Sequence, residues 1–339
     1  MYEGFRTLIK AVGTGPHGSR DLAFDEAREA TAALLRGEVA PAQAGAYLVA
    51  MRIKGEAPAE LAGTATALAD AAVPLAADTD RPLVACAGSY DGMGRAPSLS
   101  LAAGVVAAAC GAGVVVHCGD TLGPKYGVTP ADVLAALGGP AAPTPQQSRA
   151  MLERAGVTLV HAGTAINGWR ELAALRNQVG VRGPLHSAEK MVGFFGARRF
   201  VVGHTHSSYT DKLVDALELL GAERAVAVRG LEGSDVLRPG RPLAFTSRGA
   251  VELPERLGER LAGEETAPAA AAATRAVLAG ERDGLLAYSV ALSAGLRLWA
   301  AGLADDVHAG TRAAEAALAD GRAAATLVAM LDVTSSKHR

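Results

Sequence analysis

The sequence predicts an α/β protein in which a small N-terminal helical domain precedes a large domain with a mainly parallel central sheet and flanking helices. Three observations carry this expectation. Half of the 339 residues are apolar but only 4% are aromatic, so alanine, valine, leucine and glycine must supply the packing of helices against a buried sheet. The segments before Pro74 show helical periodicity alone. From Leu83 onward, short valine-rich runs alternate with helical stretches, the rhythm of βαβ units.

Taken in order, apolar residues recur at helical spacing from Asp25 to Arg36, and Gly37 stops that helix. Pro41 opens a second, carrying Ala46, Leu48, Val49 and Met51, and a third spans Glu60 to Ala72. The Pro/Asp/Arg-containing segment up to Pro82 reads as a linker, which puts the helical domain at residues 1–76 and the α/β domain at 77–339. Strands follow at Leu83–Ala87, Val114–His117, Val157–His161, Phe200–Gly203 and Ala225–Arg229. Helices are expected at Ser98–Cys110, Pro130–Leu137 and Thr210–Leu220. Pro268–Ala279, Leu285–Leu303 and the alanine-rich tail to Met330 are helical by period and propensity.

A formal net charge of −2 with intermixed signs gives no basic footprint of the kind nucleic-acid binders carry. The three cysteines, Cys86, Cys110 and Cys118, lack metal-ligand spacing and leave one unpaired, which argues for a reduced, cytoplasmic setting. Cys110 is expected in the core. Met1 to Arg20 has no continuous apolar run of the signal-peptide kind. The longest apolar run, Leu99 to Val116, is broken by Ser100 and three glycines, so it reads as a buried helix and strand instead of a membrane span.

Three loops after strands can carry chemistry. Ala87-Gly88-Ser89-Tyr90-Asp91-Gly92 can aim main-chain amides at a phosphate, and an ordinary connection is the equal alternative. In His117-Cys118-Gly119-Asp120-Thr121-Leu122-Gly123-Pro124-Lys125, Lys125 can pair with phosphate and Asp91 or Asp120 can hold Mg²⁺ through water; the alternative is a solvated loop. Arg229-Gly230-Leu231-Glu232-Gly233-Ser234-Asp235 offers two carboxylates beside glycines, with solvated acids as the more frequent explanation. Arg176, Arg182, Arg198 and Arg199 are expected to be solvated. His204 and His206 are expected to hydrogen-bond within their loop, metal ligation being the alternative.

Several of these motifs together resemble the anthranilate phosphoribosyltransferases of glycosyltransferase family 3. The resemblance runs through Leu34-Leu35-Arg36-Gly37-Glu38-Val39, Ala50-Met51-Arg52-Ile53-Lys54-Gly55-Glu56, Ser98 to Gly111, His117 to Gly138, and Leu217 to Asp235, which is most of the chain. It implies the nucleoside phosphorylase/phosphoribosyltransferase type of fold, a homodimer through the helical domain, and Mg²⁺ with 5-phosphoribosyl diphosphate as ligand. Carried over residue by residue, it implies substrate contacts from Gly88, Ser89, Asp91, Gly92, Ser98, Ser100, His117, Lys125 and Arg176, and metal contacts from Asp91, Glu232 and Asp235.

The departures from the family pattern are specific. The GTGGD loop appears as Ala87-Gly88-Ser89-Tyr90-Asp91, so a tyrosine stands where a glycine lets backbone meet diphosphate. In the KHGNR motif the lysine is Val116, the asparagine Gly119 and the arginine Asp120. The threonine of the next phosphate-binding stretch is Leu101, and the Asp-Glu metal pair is reduced to Asp235 followed by Val236, with Glu232 nearby to compensate. These departures are similar to those of a paralogous group of the YbiB type, which includes a nucleic-acid-binding protein and shares Ser89-Tyr90-Asp91-Gly92 and Arg52-Ile53-Lys54-Gly55-Glu56. Two functions follow from the resemblance: phosphoribosyl transfer to an unidentified acceptor, or binding of single-stranded nucleic acid through Arg176, Arg182, Lys190, Arg198 and Arg199.

Overall fold

Four helices open the chain: α1 (Phe5–Gly13), α2 (Phe24–Leu35), α3 (Pro41–Lys54) and α4 (Pro58–Asp70). Prolines at the first position of α3 and α4 lack the amide that a helix start leaves unpaired, so they begin these helices at little cost. Small residues let α2 and α4 pack closely: a Cβ on Gly63 would collide with the backbone of Phe24. The computed structural model describes residues 4–88, 90–254, 261, 265–281 and 284–334.

After an irregular stretch tied to the rest by the Ala72–Ile166 bridge, the second part runs β1 (Leu83–Ala87), α5 (Ser100–Ala109), β2 (Gly113–Cys118), α6 (Pro130–Ala136), α7 (Pro145–Ala155) and β3 (Val157–His161). It continues with α8 (Ala162–Ala165), α9 (Trp169–Val179), α10 (Leu185–Ala188), β4 (Arg199–Gly203), α11 (Thr210–Leu219), β5 (Arg224–Val228), β6 (Ala244–Thr246) and β7 (Gly249–Ala250). The C-terminal helices are α12 (Ala267–Leu278), α13 (Leu285–Ala301), α14 (Val307–Ala319) and α15 (Arg322–Leu331). The expected strands form within a residue of their sequence bounds. Two short antiparallel strands extend the sheet beyond β5, and one expectation changes: Cys110 is only partly buried, capping α5 with its Sγ 3.4 Å from the Ala313 carbonyl.

The sheet order is β3-β2-β1-β4-β5-β6-β7, with β3 through β5 parallel. Its first strands are buried on both faces, as helices on either side require. From β1 the chain moves outward through β2 and β3, then returns to place β4 on β1's other side. That reversal makes the C-terminal ends of β1 and β4 a topological switch point, where open α/β sheets form a crevice. Helices α9, α10 and α11 pack back against α3 and α4, so the N-terminal helices form one wall beside that crevice. No helix among the described residues is long and apolar enough to cross a membrane.

Candidate functional site

The loops after β1, β2 and β5 converge at the sheet's C-terminal edge. Gly88, Gly92, Ser98, Ser100, His117, Glu232 and Asp235 line one cavity there, contributed by four separate stretches of chain. Its free volume is about 20 Å³, room for little more than one water molecule. Asp91 and Lys125 adjoin it: the Lys125 Nζ lies 3.4 Å from Asp91 Oδ1, donates to the Glu232 carbonyl at 3.2 Å and sits 4.0 Å from its carboxylate. Ser89 lies outside the described residues.

The two glycines are used for close packing. A Cβ on Gly88 would lie 2.7 Å from the Ser234 Cα, and Gly92, at φ +75°, meets the Gly127 backbone where any side chain would collide. Glu232 holds the left-handed conformation at φ 47°, rare for a non-glycine residue. The strain aims its carboxylate at the amides of Gly94 (3.2 Å) and Arg95 (2.6 Å), which ties the β5 loop across to the β1 loop.

Each buried carboxylate of the site is held by an arginine. Asp91, fully buried, accepts from the Nε of Arg182 at 3.0 Å and from its terminal nitrogen. Asp235, 1% exposed, accepts from the Ser100 hydroxyl at 2.9 Å and from Arg297, itself fully buried in α13, whose other nitrogen donates to the Ser100 carbonyl at 2.8 Å. In both carboxylates Oδ1 is buried without a hydrogen-bond partner. The sequence does carry a signal for Arg297: it is the one charge in an otherwise apolar helix, and a lone charge on a buried face needs a partner. Its partner lies 62 residues away, so spacing could not name it.

Tyr90 is buried on the cavity's inner side. Its hydroxyl meets His117 Nδ1 at 2.7 Å, and its ring packs against Trp169 with centroids 5.5 Å apart. Burial drives the His117 pKa down to about 3, so the ring is neutral at ordinary pH and shares a hydrogen bond with the tyrosine hydroxyl, which also lies 3.4 Å from the Glu189 carbonyl. The Tyr90 side chain therefore fills the inner side of the crevice.

Arg176 is buried, against the expectation of a solvated side chain; it stands outside the cavity around Ser100 and lines a separate small recess. It is 5% exposed, lies over the Trp169 ring at 5.4 Å and donates to Glu189 at 2.6 Å. Burial raises the Glu189 pKa against the pull of Arg176. This ion pair sits beneath a second small recess lined by Leu48, Val179, Val181, Leu185 and His186. Arg182 is likewise paired, with Asp91, while Arg198 and Arg199 both face Glu223. The histidine loop hydrogen-bonds internally, as expected: His204 Nδ1 faces the His206 carbonyl at 3.1 Å and its Nε2 faces the Thr210 hydroxyl at 3.3 Å.

The model of the glycosyl transferase family's helical bundle domain matches residues 6–72, and that of its a/b domain matches residues 91–324. The chain belongs to this family. It is 35% identical over 307 residues to the anthranilate phosphoribosyltransferase of Thermus thermophilus, covering 88% of this chain and 92% of that one. The corresponding protein of Caulobacter sp. strain K31 is 33% identical, covering 99% and 97%. The crystal structure of the Thermus thermophilus protein superposes with a TM-score of 0.85 at 31% identity, over 98% of this chain and 100% of the other. The Saccharomyces cerevisiae protein in complex with PRPP and Mg shares the fold at a TM-score of 0.83 and 14% identity, covering 99% of each chain.

Proposed function

We propose that this protein transfers a phosphoribosyl group from 5-phosphoribosyl diphosphate to an uncharged nitrogenous acceptor in place of anthranilate. The observation that carries the donor half is that Ser100, Glu232 and Asp235 line one cavity at the switch point with the Lys125–Asp91 pair beside it, within a family whose Saccharomyces cerevisiae member binds PRPP and Mg. The acceptor half rests on Arg176. Its charge is matched by Glu189, and Asp120 adds a further acid on the β2 loop, so this side of the crevice is not set up to attract a carboxylate. An uncharged amide-like or heterocyclic edge suits a recess whose cation, Arg176, is already matched.

Mg²⁺ fits this site. Asp235 Oδ1, buried without a hydrogen-bond partner, the Glu232 carboxylate and, beside them, Asp91 Oδ1, which faces Lys125 at 3.4 Å, are oxygen donors of the kind it prefers. Among the described residues no group of three or more His, Cys, Asp or Glu can hold a metal unaided, which suits an ion that arrives with the ligand's phosphates. When bound it supplies charge neutralisation for the departing diphosphate. The chain's own contributions are Lys125 as a phosphate cation, the Ser100 hydroxyl as a donor, and the buried walls that exclude water. The C1–O bond to diphosphate breaks and a C1–N bond forms, releasing diphosphate and the acceptor's proton. Because the cavity has room for about one water, ligand entry requires Arg182 to leave Asp91.

The nucleic-acid alternative draws less support. Of its five cations, Arg176, Arg182, Arg198 and Arg199 face carboxylates and Lys190 is buried, so they form no free basic stripe for counterion release. We also infer a homodimer through the helical domain, because α3 exposes Ile53 at 81% and Val49 at 39%. Calorimetric titration with 5-phosphoribosyl diphosphate and Mg²⁺, beside a salt series with a single-stranded oligonucleotide, tests the main proposal. Saturable Mg²⁺-dependent heat supports it; salt-sensitive oligonucleotide binding without that heat refutes it. With binding in hand, diphosphate release should be stimulated by neutral nitrogen heterocycles and not by anthranilate.

A further inference from the structure

Next to the crevice, but outside the cavity just described, lies a larger open pocket of about 70 Å³. Its walls come from three parts of the molecule: Arg52 at the end of α3, Arg182 and Lys190 on either side of α10, and His204, His206 and Tyr209 after β4. The proposed transfer uses none of these except Arg182, which borders both spaces.

The charges here are not balanced. Arg52 makes no ion pair with a carboxylate among the described residues. Lys190 is 6% exposed, and its ammonium donates to the Gly203 carbonyl at 2.7 Å, a neutral partner. Burial lowers its pKa to about 8, the mark of an ammonium short of compensating charge. Of the acids nearby, Asp91 is held by Arg182 and Glu189 by Arg176, whereas the Glu56 carboxylate accepts only the neutral Tyr209 hydroxyl at 2.7 Å and keeps its charge; the Glu56 backbone carbonyl accepts from Lys212 at 2.7 Å. Arg52, Arg182 and Lys190 line the pocket against the Asp91 and Glu56 carboxylates, so about one positive charge remains. A phosphate monoester carries about −1.5 to −2 at neutral pH. The bonds from Tyr209 and Lys212 to Glu56 also fix the α3 end against the start of α11, so Arg52 is held on the same frame as Lys190 instead of on a separately moving part.

We propose that the pocket between Arg52, Arg182, Lys190 and His204 binds the phosphate group of a small phosphomonoester, at a site separate from the cavity around Ser100 and Asp235. Cations on three of its walls, Arg52, Arg182 and Lys190, suit a tetrahedral anion more than a planar carboxylate once the Lys190 ammonium turns from the Gly203 carbonyl and Arg182 from Asp91. The small volume of about 70 Å³ favours a small ligand over a polymer backbone. Because Arg182 also holds Asp91, an anion here competes for the guanidinium that closes the crevice.

The test is titration of the full-length protein with inorganic phosphate and with ribose 5-phosphate in chloride buffer, without Mg²⁺. Saturable binding of both is expected. Arg52→Ala, an exposed change that leaves the fold intact, should weaken it about tenfold, the loss of one charge-assisted hydrogen bond. Lys190→Met should weaken it further, and Ser100→Ala should leave it unchanged. The site assignment is overturned if neither anion binds, or if Arg52→Ala has no effect while Ser100→Ala abolishes binding. It is equally overturned if a single-stranded oligonucleotide displaces phosphate with an affinity that grows with its length, because the pocket then belongs to a backbone groove.

Discussion

Replacing Arg297 by methionine should destabilise the protein by about 3–5 kcal/mol, the cost of leaving a buried charge without its partner. The arginine is fully buried, and Asp235 beside it is 1% exposed. The change deletes the ion pair with Asp235, the 2.8 Å bond to the Ser100 carbonyl and the 3.3 Å contact with its hydroxyl. Asp235 then keeps one strong donor, Ser100 Oγ at 2.9 Å, for a full negative charge in an apolar surround. Folded domains are stable by only about 5–15 kcal/mol, so this is a large share of the total. Adding Asp235→Asn removes the stranded charge and should recover part of the loss, giving a coupling energy of about 2 kcal/mol between the two sites. Urea denaturation followed by the fluorescence of Trp169 and Trp299 reads both quantities. A single-variant cost under about 1 kcal/mol, or strict additivity of the pair, would refute the view that Arg297 anchors the β5 loop.

Tyr90→Phe keeps the ring but strands His117 Nδ1, so thermal or urea denaturation should show a loss of about 1–3 kcal/mol, and a loss indistinguishable from zero would mean the hydroxyl bond contributes nothing. Arg182→Gln removes the guanidinium that closes on Asp91 and should strengthen Mg²⁺-dependent binding of 5-phosphoribosyl diphosphate several-fold in calorimetry; weaker binding would make Arg182 a ligand contact and not a closing device. In acid, His117 (pKa lowered to about 3), His204 (lowered to about 4) and His186 (well below its usual value) stay neutral when folded but protonate when unfolded. Stability is therefore full above the unfolded pKa of about 6.5 and falls as pH drops below it, with a slope for His117 approaching about 1.4 kcal/mol per pH unit. His117→Gln should flatten the urea midpoint's dependence on pH between about 6 and 4, and an unchanged slope counts against the assignment. Ile53→Asp, on the exposed face of α3, should shift sedimentation velocity from dimer to monomer without altering the melting temperature.

The fold was legible because its elements are local. The strands from Leu83 to Val228 announce themselves by β-branched runs between glycines, and the helices of the first domain by period and proline starts. The strands β6 and β7, with three and two residues, are too short to leave a periodic trace and exist because β5 offers them an edge. The site was legible in its positions but not in its partners. Sequence spacing places Asp91 and Asp235 after strands at the ligand edge of a parallel sheet, yet it cannot reveal the arginines that hold them. Arg182 and Arg297 come from a loop and a helix far along the chain. The same holds for Arg176, which reads as solvated until Glu189 comes round across α10 to meet it. These pairings change what the loops mean. A carboxylate free to take Mg²⁺ and one already matched by arginine look identical in sequence, but only the first binds at once. The second must exchange one cation for another, and the exchange is easier at Asp91 than at Asp235. The Arg182 side chain is 39% exposed and can move into solvent, whereas Arg297 is sealed in α13 and bound to the backbone of α5. On the proposed reading, opening of the crevice is therefore decided on the Asp91 side, with Asp235 as its fixed wall.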